Sequence, residues 1–162
     1  MRKKPSSEAD AEDWSSAEVE AVAVRLLARR EHSRFELSHK LAARGVPAEL
    51  ADAVLDGLAE RRLQSDERYA ESLVAARISR GQGPVRIRRD LEQHGVASAS
   101  IEAAFEAADP DWEQLARETR QRRFGEAPPA DWNARARQSR FLEYRGFTGE
   151  QIRIAMGIGP IS

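Results

Sequence analysis

The sequence predicts an all-α protein, an elongated tandem array of three three-helix, helix-turn-helix-like repeats, on three observations. Apolar residues recur at helical spacing with almost no β-type alternation. Capping residues and glycines punctuate that pattern at its ends. Gly45, Gly95 and Gly146 stand 50 and 51 residues apart in matching apolar surroundings.

The elements follow in order. Ser15 with Glu18 and Ser33 with Glu36 have the spacing of capping boxes, in which the hydroxyl accepts an unpaired amide and the carboxylate reaches back. They open helices expected at 16–31 and 34–44, and a third follows at 48–61. Asp66 opens 66–80, after which come 84–94 and 98–108. Asp109 and Pro110, the latter at the first helical position, open 111–123. A helix at 131–145 precedes the last, 149–156, capped by Thr148 with Gln151. Gly45, Gly81, Gly95, Gly125 and Gly146 are placed to close helices in the left-handed conformation.

Eight and four residues before the repeated glycine, then one, six and ten after it, the first copy reads Leu37, Leu41, Val46, Ala51, Leu55. The second reads Ile87, Leu91, Val96, Ile101, Phe105, and the third Gln138, Leu142, Phe147, Ile152, Met156. Only Gln138 breaks the apolar rule. The leading helices align as well, with Val19, Ala23, Val24 and Ala28 opposite Tyr69, Leu73, Val74 and Ile78. The expected organisation is a disordered leader at 1–16, repeats at 17–64, 65–109 and 110–157, and a tail at 158–162. The third repeat is divergent, since residues 126–130 lengthen its first connection.

Composition fits several thin cores better than one thick one. Of 162 residues 41% are hydrophobic, but 27 are Ala, and Leu, Ile, Val and Phe make up only about one fifth. The length leaves no room for a cofactor domain beside a substrate domain. Without Cys there are no disulfides, thiolate chemistry or Cys-ligated zinc. No run of 18 apolar residues exists, which points to the cytoplasm and away from a membrane. Positive charge is carried by 23 Arg against 3 Lys. Such a bias suits phosphate and carboxylate partners, although a GC-rich genome produces it too.

The second repeat carries Asp66-Glu67-Arg68-Tyr69-Ala70-Glu71-Ser72-Leu73-Val74, then Arg77, Gly81-Gln82-Gly83-Pro84, Ile87, Leu91 and Gly95-Val96. This combination resembles the RecX family, bacterial regulators of the RecA recombinase, and with the flanking repeats the resemblance spans about residues 17–157. It implies a non-enzymatic protein without cofactor or metal that binds the RecA filament on single-stranded DNA. There it would limit filament growth, strand exchange and coprotease activity, in homologous recombination, DNA repair and the SOS response. Tyr69, Ala70, Gly83, Ile87, Leu91 and Gly95 are the structural residues of the motif. The expected partners are the RecA filament and, weakly and without sequence preference, single-stranded DNA; the protein is expected to be a monomer.

Arginines form three groups that serve as candidate contacts: Arg77, Arg80, Arg86, Arg88 and Arg89; Arg117, Arg120, Arg122 and Arg123; and Arg135, Arg137, Arg140 and Arg145. Acid lies elsewhere, at Glu49, Asp52, Asp56 and Glu60 and from Glu102 to Glu113, so one side of the array would be basic and the other acidic. The same arginines also suit ordinary ion pairs on solvated faces. The alternative function is a helix-turn-helix transcriptional regulator, for which Arg86, Arg89, Asp90 and Gln93 would be the outward face of a reading helix. His32, His39 and His94 are scattered, and no metal-binding, phosphate-loop or nucleophile motif is present. Trp112 and Tyr69 read as core anchors, and the Gly81 to Gly83 turn as a helix breaker.

Overall fold

A computed structural model describes residues 13–158. Most of the expected leader and tail lies outside them. The described residues form nine helices and no strand: α1 (Ser16–Arg29), α2 (Arg34–Ala43), α3 (Ala48–Glu60), α4 (Asp66–Ser79), α5 (Pro84–Gln93), α6 (Ser98–Ala108), α7 (Trp112–Phe124), α8 (Trp132–Tyr144) and α9 (Gly149–Ala155). The described residues divide into two compact units, the first ending at Asp66 and the second starting at Glu67.

In the first unit α1, α2 and α3 enclose one core, in which Val19, Leu37, Leu41, Leu55 and Leu58 are buried and Trp14 is half-buried against them. The capping box of α2 is complete, with Glu36 N donating to Ser33 Oγ at 3.0 Å and Ser33 N to Glu36 Oε1 at 3.4 Å. At α1 the contact runs one way: Glu18 N donates to Ser15 Oγ, and the expected return bond from Glu18 is not made. Asp66 also departs from expectation. It is the first residue of α4, and its Oδ1 accepts from Arg34 N at 2.9 Å and Gln64 Nε2 at 2.9 Å. The carboxylate therefore satisfies an unpaired amide at the start of α2, thirty-two residues away.

His32 is buried beside this junction. Its Nε2 lies 3.1 Å from Lys40 Nζ, which can only donate, so Nδ1 carries the proton and donates to Arg30 O at 3.0 Å. Burial, seconded by the positive charges of Arg30 and Lys40, lowers its pKa below the usual 6.5.

In the second unit α4, α5 and α6 share a core of Tyr69, Ala70, Val74, Ile87, Leu91, Val96, Ile101 and Ala104. Trp112 leans on it, edge-on to Phe105 at 5.8 Å. A second core joins α7, α8 and α9 through Ala116, Leu142, Phe147, Ile152, Ala155 and Met156. The anchors Tyr69, Ala70, Ile87 and Leu91 are all buried, and Gly95 turns at φ 72°. The other expected closing glycines also have positive φ, though Gly125, with ψ 173°, lies outside the left-handed helical region. Helix α7 starts later than expected: Asp109 ends α6 at φ 38°, and Asp111 caps α7 by accepting from Gln114 N at 3.0 Å. Proline at the first helical position belongs instead to α5, at Pro84.

The two cores of this unit meet along a backbone seam. Gly83 N donates to Arg145 O at 2.8 Å and Val85 N to Gly146 O at 2.9 Å. Amides that open α5, without partners in their own helix, thus meet carbonyls of the turn that ends α8. A Cβ at Gly83 would overlap the Gly146 carbonyl, and one at Gly146 would overlap Arg86. Gly83, expected as a structural residue of the motif within a helix-breaking turn, is where two repeats touch through backbone.

Candidate functional site

The structure sorts the candidate arginines by what their guanidinium groups already hold. Arg120 is removed from the candidate set, because it is 4% exposed and wholly engaged. Its Nε donates to Ala155 O at 3.0 Å, and its Nη1 to Ala127 O and to Gln138 Oε1, both at 3.2 Å. This explains Gln138, the one polar residue in the repeated apolar template. A buried guanidinium needs acceptors, and an aliphatic side chain there would leave an N–H unpaired. The lengthened connection has the same cause, since Ala127 O and Glu126 O come from it.

Two more candidates are tied to carboxylates. Arg77 pairs with Asp90 at 3.0 Å and donates to Gln82 Oε1 at 3.1 Å, and Arg88 pairs with Glu102 while lying over the Phe105 ring. Arg88 to Glu102, like Arg34 to Asp52 and Asp56 in the first unit, joins a second-helix arginine to third-helix acids, whereas Arg77 on α4 reaches Asp90 on α5. The expected separation of charge onto opposite faces is in part neutralised by them.

Four arginines from all three sequence clusters converge. Arg80, just past α4, Arg122 and Arg123 on α7, and Arg145 at the end of α8 wall an open cleft of about 280 Å³ whose floor is Gly81, Thr119 and Phe141. No carboxylate lines it. None of the four makes an ion pair among the described residues. Local packing holds them. Arg123 and Arg145 each lie 5.7 Å from the Phe141 ring centre, and Arg145 Nη2 donates to Arg80 O at 2.6 Å. Arg145 Nε is buried without a partner. Gly81, at φ 73°, allows α7 to approach, because a Cβ there would lie 2.8 Å from Thr119 Oγ1.

A neighbouring cleft of about 310 Å³ is lined by Val85, Arg86, Arg89, Asp90, Glu143, Tyr144 and Gly146. Arg86 lies 5.4 Å from the ring centre of Tyr144, which is 74% exposed. Both clefts include a residue of the seam turn, Arg145 in one and Gly146 in the other. Arg117, Arg135, Arg137 and Arg140 are exposed on α7 and α8 and line neither. The first unit has a smaller dent of about 120 Å³, where Arg25, Arg29 and Arg44 surround Val22 and Leu26. Phe141, Tyr144 and Thr119 escaped the sequence reading. For Phe141 and Tyr144 the one signal was aromatic residues set among arginines in the stretch 140–145, and Thr119 had none.

Comparison with known proteins accounts for most of the helical region. Family models for the first, second and third three-helix domains of RecX match residues 21–58, 65–104 and 111–156. The chain belongs to the RecX family. It is 49% identical over 141 residues to the regulatory protein RecX of Halorhodospira halophila, covering 87% of this chain and 88% of that one. With the regulatory protein RecX of Pseudomonas savastanoi pv. phaseolicola it shares 49% identity over 142 residues, covering 87% and 92%. The crystal structure of RecX from Lactobacillus salivarius has the same fold, with a TM-score of 0.70 at 21% identity over 88% of this chain and 94% of that one. A second RecX crystal structure gives a TM-score of 0.75 at 22% identity, over 88% of this chain and 73% of that one. In RecX terms the arginine cleft joins the second and third three-helix domains. The relatives are named regulatory proteins. Among the described residues no group of His, Asp or Glu could hold a metal, and no helix is long and apolar enough to cross a membrane.

Proposed function

We propose that this RecX protein acts in the cytoplasm as a monomeric, non-enzymatic regulator that lies on the RecA filament and restrains recombinase and coprotease activity by occupancy. The single observation that carries this reading is the match of three successive RecX domains from residue 21 to 156, which gives almost the whole helical region to one repeated module. The repeats at 17–64, 65–109 and 110–157 would each dock along the filament. Arginines without carboxylate partners at the junction of α4, α7 and α8 supply forks for phosphate or acidic side chains. Binding to single-stranded DNA alone is then weak, indifferent to sequence and steeply dependent on salt.

The transcriptional alternative finds less support. A reading helix needs its outward side chains free, whereas on α5 Arg86 covers Tyr144 and Asp90 is held by Arg77. The test is retention of the protein on pre-formed RecA filaments against DNA alone, with RecA's ATPase followed in parallel. Retention on filaments with falling ATPase is expected. A nanomolar, sequence-selective footprint on duplex DNA would favour the transcriptional regulator.

A further inference from the structure

From the cleft walled by Arg80, Arg122, Arg123 and Arg145 we infer a binding site for a pair of linked phosphate groups, which on binding ties α4 to α7 and α8. Like charges gathered without a counter-charge repel, and a lysine or histidine there could lose its proton to relieve the repulsion. Arginine cannot, so the repulsion stays until an anion enters. Linked phosphates bring at least two negative charges to four guanidinium groups, more than a single monovalent anion could, and their oxygens suit the paired donors of each fork.

The geometry is built and not merely gathered. Arg145 is fixed by its bond to Arg80 O and by the Phe141 ring, which Arg123 also faces. Its buried Nε is a donor with no acceptor. Because Gly81 lacks a side chain, α7 sits close enough to bring Arg122 and Arg123 to the same mouth as Arg80. An anion held between them cross-links helices of two repeats.

Linked phosphates reach such a cleft from a nucleotide's polyphosphate tail or from a nucleic-acid backbone. The inference deepens the functional reading and rests on it for its biological setting. Phosphate binding is measured without recombinase, so it can fail or stand independently of filament regulation. The full chain is titrated calorimetrically with tripolyphosphate and with oligothymidylate, against sulfate at matched ionic strength, and its melting is followed with each. Wild-type protein should bind at least one phosphate probe more tightly than sulfate and melt at a higher temperature with it. R122E/R123E should lose about tenfold or more of that affinity and the thermal response while keeping its helix content, and R122Q/R123Q should lose less. Retention of tripolyphosphate alone identifies a free polyphosphate as the ligand, and its displacement by oligothymidylate identifies a nucleic-acid backbone. Both uphold the site. Wild-type binding no better than sulfate, or undiminished binding by R122E/R123E, overturns it.

Discussion

The turn between the first and second helices is built twice from one template, and the two versions treat charge in opposite ways. In the first repeat Arg30 pairs with Glu36 at 2.7 Å, and Arg34 pairs with Asp56 at 2.6 Å. Fifty residues on, Arg30 becomes Arg80, Glu36 becomes Arg86 and Arg34 becomes Pro84. The first turn closes on itself, with a serine cap, a returning glutamate and satisfied guanidinium groups. The second lacks a side-chain cap; carbonyls from the end of α8 replace it, and two arginines are left beside clefts. Where the helix start is satisfied by another repeat, the acid of the capping box is no longer needed, and its place is open to a residue that serves binding.

The sharpest way to break this contrast is to put a side chain into the seam. Gly146→Val would force left-handed backbone at φ 96° on a β-branched residue and drive its Cβ into Arg86, so a loss of about 3 kcal/mol or more is expected by urea titration. The matching Gly45→Val, at φ 86° with open space around its Cβ, meets only the backbone strain and should cost about 1–2 kcal/mol. Equal costs would show that the seam is no tighter than the isolated turn. Next in size is Arg120→Leu, which strands Ala155 O and Gln138 Oε1 and should cost about 2–4 kcal/mol in the same titration, with part recovered in Arg120→Leu/Gln138→Leu.

Most of the helical framework was legible because its signals are local. A capping serine, a closing glycine and an apolar stripe act within one or two turns of chain, so the expected and observed helix bounds differ by at most two residues. The repeat emerged from the same local marks. Arg120 was illegible: in a run with Arg117, Arg122 and Arg123 it looks like surface, and the backbone carbonyls that accept from it come from α9 and the connection before α8. The pairing of Arg77 with Asp90 and of Arg88 with Glu102 was hidden similarly, because each spans a turn. The convergence of Arg80 with Arg122, Arg123 and Arg145 depends on how closely α7 approaches Gly81, a long-range fact with no local spacing to announce it.

Smaller effects sharpen the comparison. Arg86→Glu restores the acid that the first repeat carries at this position, and on the proposed function it should weaken inhibition of RecA's ATPase about tenfold with helicity unchanged, through loss of a cation and added repulsion toward an anionic partner. Unaltered inhibition would take Arg86 out of the interface. The smallest effect belongs to the first unit. His32 is held neutral in the fold with its pKa lowered, so below pH 6.5 the unfolded chain takes up a proton that the folded chain refuses. Stability should therefore fall as pH drops from 6.5 towards the folded pKa and level off below it, and urea titrations across that range should show a flatter profile for His32→Gln.

The seam also bears on how the chain tolerates loss of an end. In an ideal solenoid a terminal repeat can be removed for the loss of one interface, and the remainder keeps all its internal bonds. Here the third repeat supplies the acceptors for the amides of Gly83 and Val85, so without it two donors at the start of α5 lose their partners. Repeats two and three are in this sense joined at a helix start: a chain cut between them leaves the first amides of α5 to water in place of a fixed acceptor.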